Sequence, residues 1–181
     1  MRRTALALAA LLAAAAAPAQ AQSGFALKGH YLYNSSTADG ARADRDIPSE
    51  DGFSLGAELV LPLNVGVGVS AYANGRAREA DIESQSFGLV AEANYFFGFP
   101  VLPIRPYAGV HAGLGRYTYQ DVSTPEIKDD RTQLGFQVGL RWQVTSLLGL
   151  DAQYRRVSDS ASSDQSPDLE RNQVLVGVTL F

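Results

Sequence analysis

Charged side chains recur at alternate positions within several apolar, glycine-rich segments of this 181-residue chain. Alternate residues of a β-strand share one face, so these side chains are predicted to lie on the polar faces of strands. The set comprises Lys28, His30, Glu58, Glu92, Arg141, Asp151, Arg155 and Arg171. Charges that leave water together must pair with one another, which predicts an interior ion-pair network. The alternative is a narrow gated pore in which Glu58 or Glu92 exchanges arginine partners.

The two histidines are the other residues that could do chemistry. A serine nucleophile needs an adjacent base, but Leu32 stands two positions after His30, and Gly113 two positions after His111. Neither histidine therefore belongs to a His-x-Ser pair. Each also lacks the neighbouring ligands of a zinc site, and the Asp- and Ser-rich segments lack the spacing of a calcium-binding EF-hand loop. The sequence predicts no catalytic residue, no metal ligand and no cofactor.

Period-two alternation of apolar and polar residues dominates the chain and predicts β-strands. It covers eight segments: residues 24–34, 52–61, 65–73, 84–96, 104–119, 131–144, 148–155 and 171–180. Charged connections alternate with short uncharged ones: 35–51, 75–83, 120–130 and 158–168 against 62–64, 97–103 and 145–149. This strict alternation predicts an antiparallel up-and-down meander whose two ends face different surroundings. Long loops outside and short turns in the periplasm are typical of bacterial outer-membrane barrels.

The apolar faces of these segments are predicted to contact lipid. The segments run longer than the ~5–6 residues of globular strands and match the ~9–11 that a tilted membrane strand needs. The middle of the apolar face is almost free of charge, and aromatic residues gather near segment ends, where membrane interfaces would lie. Hydrocarbon tolerates no open sheet edge, so the last strand must pair with the first.

We therefore predict an all-β fold, an eight-stranded antiparallel up-and-down transmembrane β-barrel. The alternative is a soluble periplasmic lipocalin-like barrel with its apolar face turned inward. A lipocalin-like chain would carry an early Gly-x-Trp motif, whereas the single tryptophan here is Trp142, in the sixth segment. The membrane barrel is the reading that the sequence favours.

The first residues predict export. Arg2 and Arg3 precede an Ala/Leu-rich run over residues 4–17, and Ala-Gln-Ala at 19–21 is a cleavage site of the A-x-A type. We expect a signal peptide over residues 1–21 and a β-barrel domain over residues 22–181. The net charge of −4 and the lack of a basic tract argue against a nucleic-acid partner. The chain has no cysteine, so disulfides cannot stabilise the exported domain.

The mature chain resembles a known class of membrane protein. The signal peptide, the eight segments, the stretch RPYAGVHAGLGRY over residues 105–117 and the terminal Phe181 are similar to the small outer-membrane β-barrel proteins of the OmpA-barrel and OmpX type. The resemblance implies that the barrel assembly machinery recognises Phe181 as an assembly signal. In that class the terminal aromatic residue shares a face with the apolar residues before it, whereas here the apolar residues of 174–180 lie on the opposite phase. Either a bulge shifts the phase or the signal is imperfect.

Two arginines, Arg116 and Arg156, occupy the apolar phase near the charged connections. Their long side chains can snorkel to the membrane interface, and a guanidinium can also bind lipopolysaccharide phosphates bidentately. Both roles can hold together. Outer-membrane lipid and lipopolysaccharide are therefore the expected partners, together with the assembly machinery during biogenesis.

These expectations favour a non-enzymatic protein of the cell outer membrane with a structural or surface-interaction role, adhesin-like in the second case. The charged connections are expected to be surface loops, and no motif in them specifies a surface ligand. A narrow gated pore is the first alternative. The second is a lipid A-modifying outer-membrane enzyme, against which the missing His-x-Ser pair argues.

Overall fold

The computed structural model describes residues 24–38, 47–79, 82–98, 103–121, 127–161 and 168–181. These residues form eight strands: β1 (Gly24–Ala38), β2 (Ile47–Leu61), β3 (Val65–Glu79), β4 (Ile82–Phe96), β5 (Ile104–Asp121), β6 (Ile127–Gln143), β7 (Leu148–Ala161) and β8 (Leu169–Leu180). A 3-10 turn, Pro62–Asn64, joins β2 to β3. No described helical segment has the length and apolar character that spanning a membrane requires. The predicted signal peptide, residues 1–21, lies outside the described residues.

The strands form one closed barrel in which each strand pairs antiparallel with its neighbours in the chain. β8 closes the barrel against β1, with Leu180 opposite Leu27 and Leu169 opposite Ala38. Followed once around the barrel, the pairing that starts at Lys28 returns to β1 at Ala38, ten positions farther along. A stagger of this kind accompanies strands tilted by about 35–45° to the barrel axis. The predicted eight-stranded up-and-down barrel is confirmed.

The barrel is inverted relative to a soluble protein. Exposed and buried residues alternate along β7 and β8 over nearly their whole length. The outward-facing side chains of Leu55, Leu89 and Leu114 belong to residues 71%, 66% and 68% exposed. Inward-facing Glu58 and Arg171 are 1% and 0% exposed. The apolar face therefore forms the outer wall, as a lipid-facing barrel requires, and the polar face lines the lumen.

The end of the barrel with the short connections is called here the lower end, and the end with the charged connections the upper end. All four charged connections predicted from sequence (35–51, 75–83, 120–130 and 158–168) are in part strand. β3 and β4, for example, remain paired as far as Glu79 opposite Ile82. The predicted loop bounds were therefore wrong. Above the apolar outer wall the outward face also carries polar residues, such as Ser158 and Ser160 on β7, so the alternation fades although the backbone ladder continues.

The closing strand fixes the phase of the C-terminus. β8 pairs with β1 and with β7 without a register shift, and Leu180 lies opposite Leu148. β8 therefore has no bulge, contrary to one of the two explanations considered for the terminal phase. Phe181 follows the strand, and its backbone N–H donates to the Leu147 carbonyl at 3.0 Å. Its ring lies beside inward-facing Gly149, where an added Cβ would stand 3.2 Å from Phe181 Cε2.

Candidate functional site

Side chains fill the lumen in successive layers, and the lowest is apolar and aromatic. Val60, Phe96 and Tyr107 form this buried lower apolar layer. The ring centroids of Phe96 and Tyr107 lie 5.2 Å apart. The guanidinium carbons of Arg105 and Arg141 lie 4.8 and 4.9 Å from the Phe96 ring centroid, which is within cation–π range. The lower end of the lumen therefore contains two aromatic rings, Phe96 and Tyr107, with the guanidinium groups of Arg105 and Arg141 against the Phe96 ring.

An ion-pair layer lies directly above the lower apolar layer. Glu58 accepts a hydrogen bond from Arg141 Nη1 at 2.5 Å and another from Asn94 Nδ2 at 3.1 Å. Lys28 Nζ lies 3.7 Å from Glu58 Oε1. Arg141 also donates from Nε to Asp151 at 2.8 Å. Arg141 thus joins two carboxylates, and Glu58 lies between two cations.

Glu92 extends the ion-pair layer across the lumen. It pairs with Lys28 and accepts hydrogen bonds from Arg155 at 2.7 Å and from Gln137 at 3.1 Å. Lys28 therefore bridges Glu58 and Glu92, which stand on different strands. The network runs without interruption from Arg155 to Asp151.

The formal charges of the ion-pair layer balance. Its carboxylates and cations are Glu58, Glu92 and Asp151 against Lys28, Arg141 and Arg155. Asp151 also accepts a hydrogen bond from the Tyr107 hydroxyl at 2.8 Å and lies 3.3 Å from His30 Nε2. A balanced, hydrogen-bonded set of this kind is the arrangement that compensates burial of several charges.

A second apolar layer covers the ion-pair layer from above. The buried residues of this upper apolar layer are Leu32, Tyr72, Val90 and Leu175. Along β1, Leu32 is the next inward residue above His30, and along β4, Val90 is the next inward residue above Glu92. The ion-pair layer consequently lies between two apolar layers.

An upper polar layer follows toward the charged loops. Arg171 is fully buried and holds Asp159 with two hydrogen bonds, one from Nη2 at 2.9 Å and one from Nε. Its guanidinium carbon lies 4.8 Å from the Tyr117 ring centroid. Arg131 pairs with Asp129 at 2.9 Å. These residues come from β5 to β8, which form one side of the upper lumen.

The other side of the upper polar layer, formed by β1 to β4, holds the buried carboxylate of Glu50. It accepts hydrogen bonds from Ser86 at 2.8 Å, Asn74 at 3.0 Å and Asn34 at 3.4 Å. All three donors are neutral. Their hydrogen bonds replace the solvation that Glu50 loses inside the barrel.

Seven of the eight charged residues predicted for the polar faces meet in the ion-pair layer. They are Lys28, His30, Glu58, Glu92, Arg141, Asp151 and Arg155. Arg171 is also buried, but it lies above the upper apolar layer with Asp159. The sequence prediction omits Asp159, Glu50 and Asp129 because they fall in segments predicted as loops. The phase of each strand is the signal that would have found them: counting every second residue onward from Asp151 and Arg155 in β7 reaches Asp159.

The histidines and the carboxylates do not form a metal cluster in the described part of the chain. His30 lies against Asp151, and His111 points inward from β5, opposite Glu92 and Gly135 in the strand register. Among the residues that the structure describes, no group of three or more His, Cys, Asp and Glu side chains is placed to hold a metal ion.

Arg116 and Arg156 lie on the outer wall, and each pairs with an outward carboxylate. Arg116 donates to Asp130 from Nε at 2.7 Å and from Nη2 at 3.0 Å. Arg156 donates from Nη2 to Glu170. Arg156 lies opposite Phe136 in the apolar wall, whereas Glu170 lies closer to the upper end. The Arg156 guanidinium therefore reaches toward the interface, as a snorkelling side chain does.

Comparison with known proteins agrees with this architecture. Residues 4–180 match the family model described as outer membrane protein beta-barrel domain. The chain is similar in structure to Neisserial surface protein A, with 20% identity, a TM-score of 0.70, and coverage of 87% of this chain and 97% of that one. It is also similar to Ail of Yersinia pestis (17% identity, TM-score 0.60, coverage 88% and 99%) and to OprG of Pseudomonas aeruginosa (13%, 0.55, 86% and 94%). At these identities the likeness shows the fold. Curated protein sequences include no significant match.

The buried and exposed ion pairs between β7 and β8 make a matched comparison. Removing one partner of the inner pair, by Asp159→Leu or Arg171→Met, should lower the free energy of unfolding by about 3–5 kcal/mol, because the remaining charge stays buried. The double variant should lose less than the sum of the two single variants. The outer pair, tested by Glu170→Leu and Arg156→Met, should contribute roughly 0.2–1 kcal/mol, because it lies at the polar membrane interface, where water and head groups screen it.

Urea unfolding of the barrel in lipid vesicles measures both double-mutant cycles. An outer pair with a coupling energy as large as that of the inner pair would contradict this account of the lumen.

Proposed function

Because the chain belongs to the outer membrane protein beta-barrel domain family, we propose that it is a non-enzymatic barrel with a structural or surface-interaction role. The protein lies in the bacterial outer membrane, as the barrels to which it is similar do. The proposal concerns what the barrel does there. It rests on the contents of the lumen and on the position of the charged loops.

The observation that carries the proposal is the filled lumen. An ion that crossed the barrel would have to pass the lower apolar layer, the ion-pair layer and the upper apolar layer in turn. Passage would bring a charge beside Leu32 and Leu175 without a compensating group, which is costly. It would also break contacts of Glu58 or Glu92 with their cations, which leaves uncompensated buried charges. A barrel packed in this way holds the charged loops in place and does not conduct ions.

The surface-interaction form of the proposal concerns the charged loops at the upper end. Rigid strands that end in variable loops are a common way of presenting a binding surface. The first loop is rich in charge, with Asp39, Arg42, Asp44, Arg45 and Asp46, and lies outside the described residues. Ail is named as an attachment invasion locus protein. An adhesin-like role for the present chain is supported by the shared barrel and by its own charged loops.

The two rival functions would use the lumen or a catalytic pair. A narrow gated pore would require Glu58 or Glu92 to exchange arginine partners, but Lys28 already bridges these carboxylates, and Arg141 and Arg155 hold them from either side. A lipid A-modifying enzyme would need a nucleophile with an adjacent base, and neither histidine is followed by serine two positions on. The gated pore and the lipid A-modifying enzyme are therefore less well supported than a non-enzymatic barrel with a filled lumen.

Arg116 and Arg156 are proposed to contact lipopolysaccharide. Their positions on the outer wall support this proposal, since Arg116 and the guanidinium of Arg156 lie toward the upper end, where the apolar wall gives way to the charged connections. The pairing of each with a carboxylate uses one edge of the guanidinium and leaves further donors, because arginine carries five N–H groups in a planar fork.

Phe181 is proposed to act as the signal for the barrel assembly machinery. Its place directly after β8, the strand that closes the barrel, supports that role. Its phase does not follow the usual pattern of the class, because Leu180, and not Phe181, ends the outward-facing row of β8. We therefore expect recognition to occur before the strand closes, while the Phe181 ring is not yet packed beside Gly149.

The filled lumen predicts electrical silence. Purified barrels in a planar bilayer should give no current steps at either polarity, with a porin in the same bilayer as positive control. Lipid A from cells with and without the gene should have identical mass spectra. Reproducible current steps would replace the proposal with the gated pore, and a change in acyl-chain number or length would replace it with the enzyme.

The lipopolysaccharide contact predicts a loss on neutralisation. The double variant Arg116→Gln and Arg156→Gln should co-purify with less lipopolysaccharide than the native barrel, because two cations are removed from the phosphate level of the outer wall. Asp130→Asn with Glu170→Gln is the matched control: it removes the competing carboxylates, so lipopolysaccharide should stay equal or rise. An unchanged amount in the arginine variant would refute the contact.

The assembly role predicts a defect that appears only in cells. Phe181→Ala should reduce the amount of folded barrel in the outer membrane, measured as the fraction whose gel mobility changes on boiling. The same variant should refold from urea into detergent as the native chain does, because no machinery takes part there. Phe97→Ala, at the same end of the barrel, is the control and should assemble normally. Full assembly of the Phe181 variant would end this assignment.

A further inference from the structure

A groove crosses the outer wall from β3 to β6 at the upper end of the apolar surface. Its volume is about 600 Å³, within the range of roughly 300–1,000 Å³ typical of pockets that hold small molecules. Its outward-facing lining includes Ala71, Phe87, Leu89, Leu114, Arg116 and Thr132. It opens sideways toward lipid, because these residues belong to the exposed face of the barrel.

The depth of the groove follows from short and long side chains in adjacent register positions. Ala71 lies opposite Leu89 across β3 and β4, and Leu89 lies opposite Leu114 across β4 and β5. The short side chain of Ala71 leaves a gap beside Leu89, and Leu114 continues the row on the far side of Leu89. Gly88 and Gly115 also border the groove, and they pair with each other in the register, so backbone forms part of its floor.

The groove is apolar along its length and polar at its upper rim. Arg116, Asp130 and Thr132 form that rim. Asp130 takes the Nε and Nη2 donors of Arg116, and in the described part of the chain Arg116 Nη1 has no hydrogen-bond partner. The rim therefore offers guanidinium N–H groups and a threonine hydroxyl to an acceptor that arrives from the lipid side.

We propose that this groove seats one acyl chain of lipopolysaccharide, with a phosphate of its lipid A moiety bound by Arg116 at the rim. The inference rests on the proposed lipopolysaccharide contact of Arg116 and adds the place where the lipid lies. An acyl chain matches the apolar walls, and the guanidinium N–H groups of Arg116 that Asp130 does not take match the acceptor oxygens of a phosphate. Lipopolysaccharide is the occupant because the groove lies in the half of the wall nearest the charged loops, which is the outer leaflet.

Arg156 provides a comparison for the two elements of the proposed site, the arginine and the apolar groove. It is an outward arginine with a carboxylate partner, like Arg116, but it does not line the groove. A phosphate at Arg156 would be held by charge alone. A lipid at Arg116 would be held by charge and by buried methylene groups, each of which contributes further to binding.

The test fills the groove without touching its rim. Ala71→Trp should occupy the space beside Leu89, and lipid A added to the purified barrel in detergent should bind roughly tenfold more weakly, measured by native mass spectrometry. Ala152→Trp is the matched control. Ala152 is an exposed, outward alanine on β7, outside the groove, and its replacement should leave lipid A binding unchanged.

The outcomes separate this inference from the contact on which it rests. Binding that is equally strong in the Ala71→Trp barrel and in the native barrel overturns the groove, and the arginine contact survives if Arg116→Gln still weakens binding. If Ala71→Trp weakens lipid A binding but Arg116→Gln leaves it unchanged, the phosphate contact is overturned and, with it, the proposed orientation. Phosphatidylglycerol is the comparison lipid. If it binds as tightly as lipid A, and if Ala71→Trp weakens its binding equally, lipopolysaccharide is overturned as the specific occupant.

A second variant keeps the test decisive if Ala71→Trp does not fold. Leu114→Ala removes one wall of the groove and should also weaken lipid A binding, whereas Leu140→Ala removes an exposed leucine of the outer wall elsewhere. Folding of every variant is checked by the change in gel mobility on boiling. Equal binding by the Leu114 and Leu140 variants would overturn the inference.

Discussion

Hydrocarbon offers no hydrogen-bond partner to a peptide group, and this constraint governs the rest of the structure. Each strand must be paired along both edges, and the contact of β8 with β1 supplies the last pairing. Closure with only eight strands leaves a lumen just wide enough for side chains. The inward side chains must then satisfy one another, because a narrow interior holds little water. The ion pairs are in this sense a consequence of backbone closure.

Charge balance shows how the lumen meets that demand. Among the described residues the buried carboxylates are Glu50, Glu58, Glu92, Asp129, Asp151 and Asp159, and the buried lysine and arginines are Lys28, Arg105, Arg131, Arg141, Arg155 and Arg171. The two sets are equal in number. The upper apolar layer nevertheless divides them into separate networks, so each network must be satisfied largely within its own level. Glu50 illustrates the point, since its hydrogen bonds come from amide and hydroxyl groups at its own level.

The parts that sequence predicted well are those that repeat every second residue. Alternation predicts the number of strands, the lipid-facing side of each strand and the inward position of Glu58 and Arg141. It does so because the membrane and the lumen impose opposite polarity on adjacent residues. It failed where that contrast ends. Asp129 and Asp159 lie above the apolar wall, where the outward face carries polar residues as well, and the sequence there is typical of loops. Which inward residues touch could not be read at all, because a contact between Lys28 and Glu92 depends on the stagger of strands that are distant in sequence.

The inward glycines connect the composition of the lumen to its closure. A Cβ on Gly66 would stand 2.8 Å from the Phe96 ring, and one on Gly139 would stand 2.4 Å from Tyr107 Cζ. One on Gly115 would stand 2.5 Å from the Tyr72 hydroxyl oxygen. Each of these aromatic side chains belongs to an apolar layer, so each layer depends on glycine in neighbouring strands for its space. A glycine opposite a large ring gives the ring room to extend across the lumen. A barrel with an open channel does not need glycines at such positions. The glycine pattern on the polar faces is therefore a mark, visible in the sequence, of a lumen filled by side chains, which is the observation on which the proposed surface function rests.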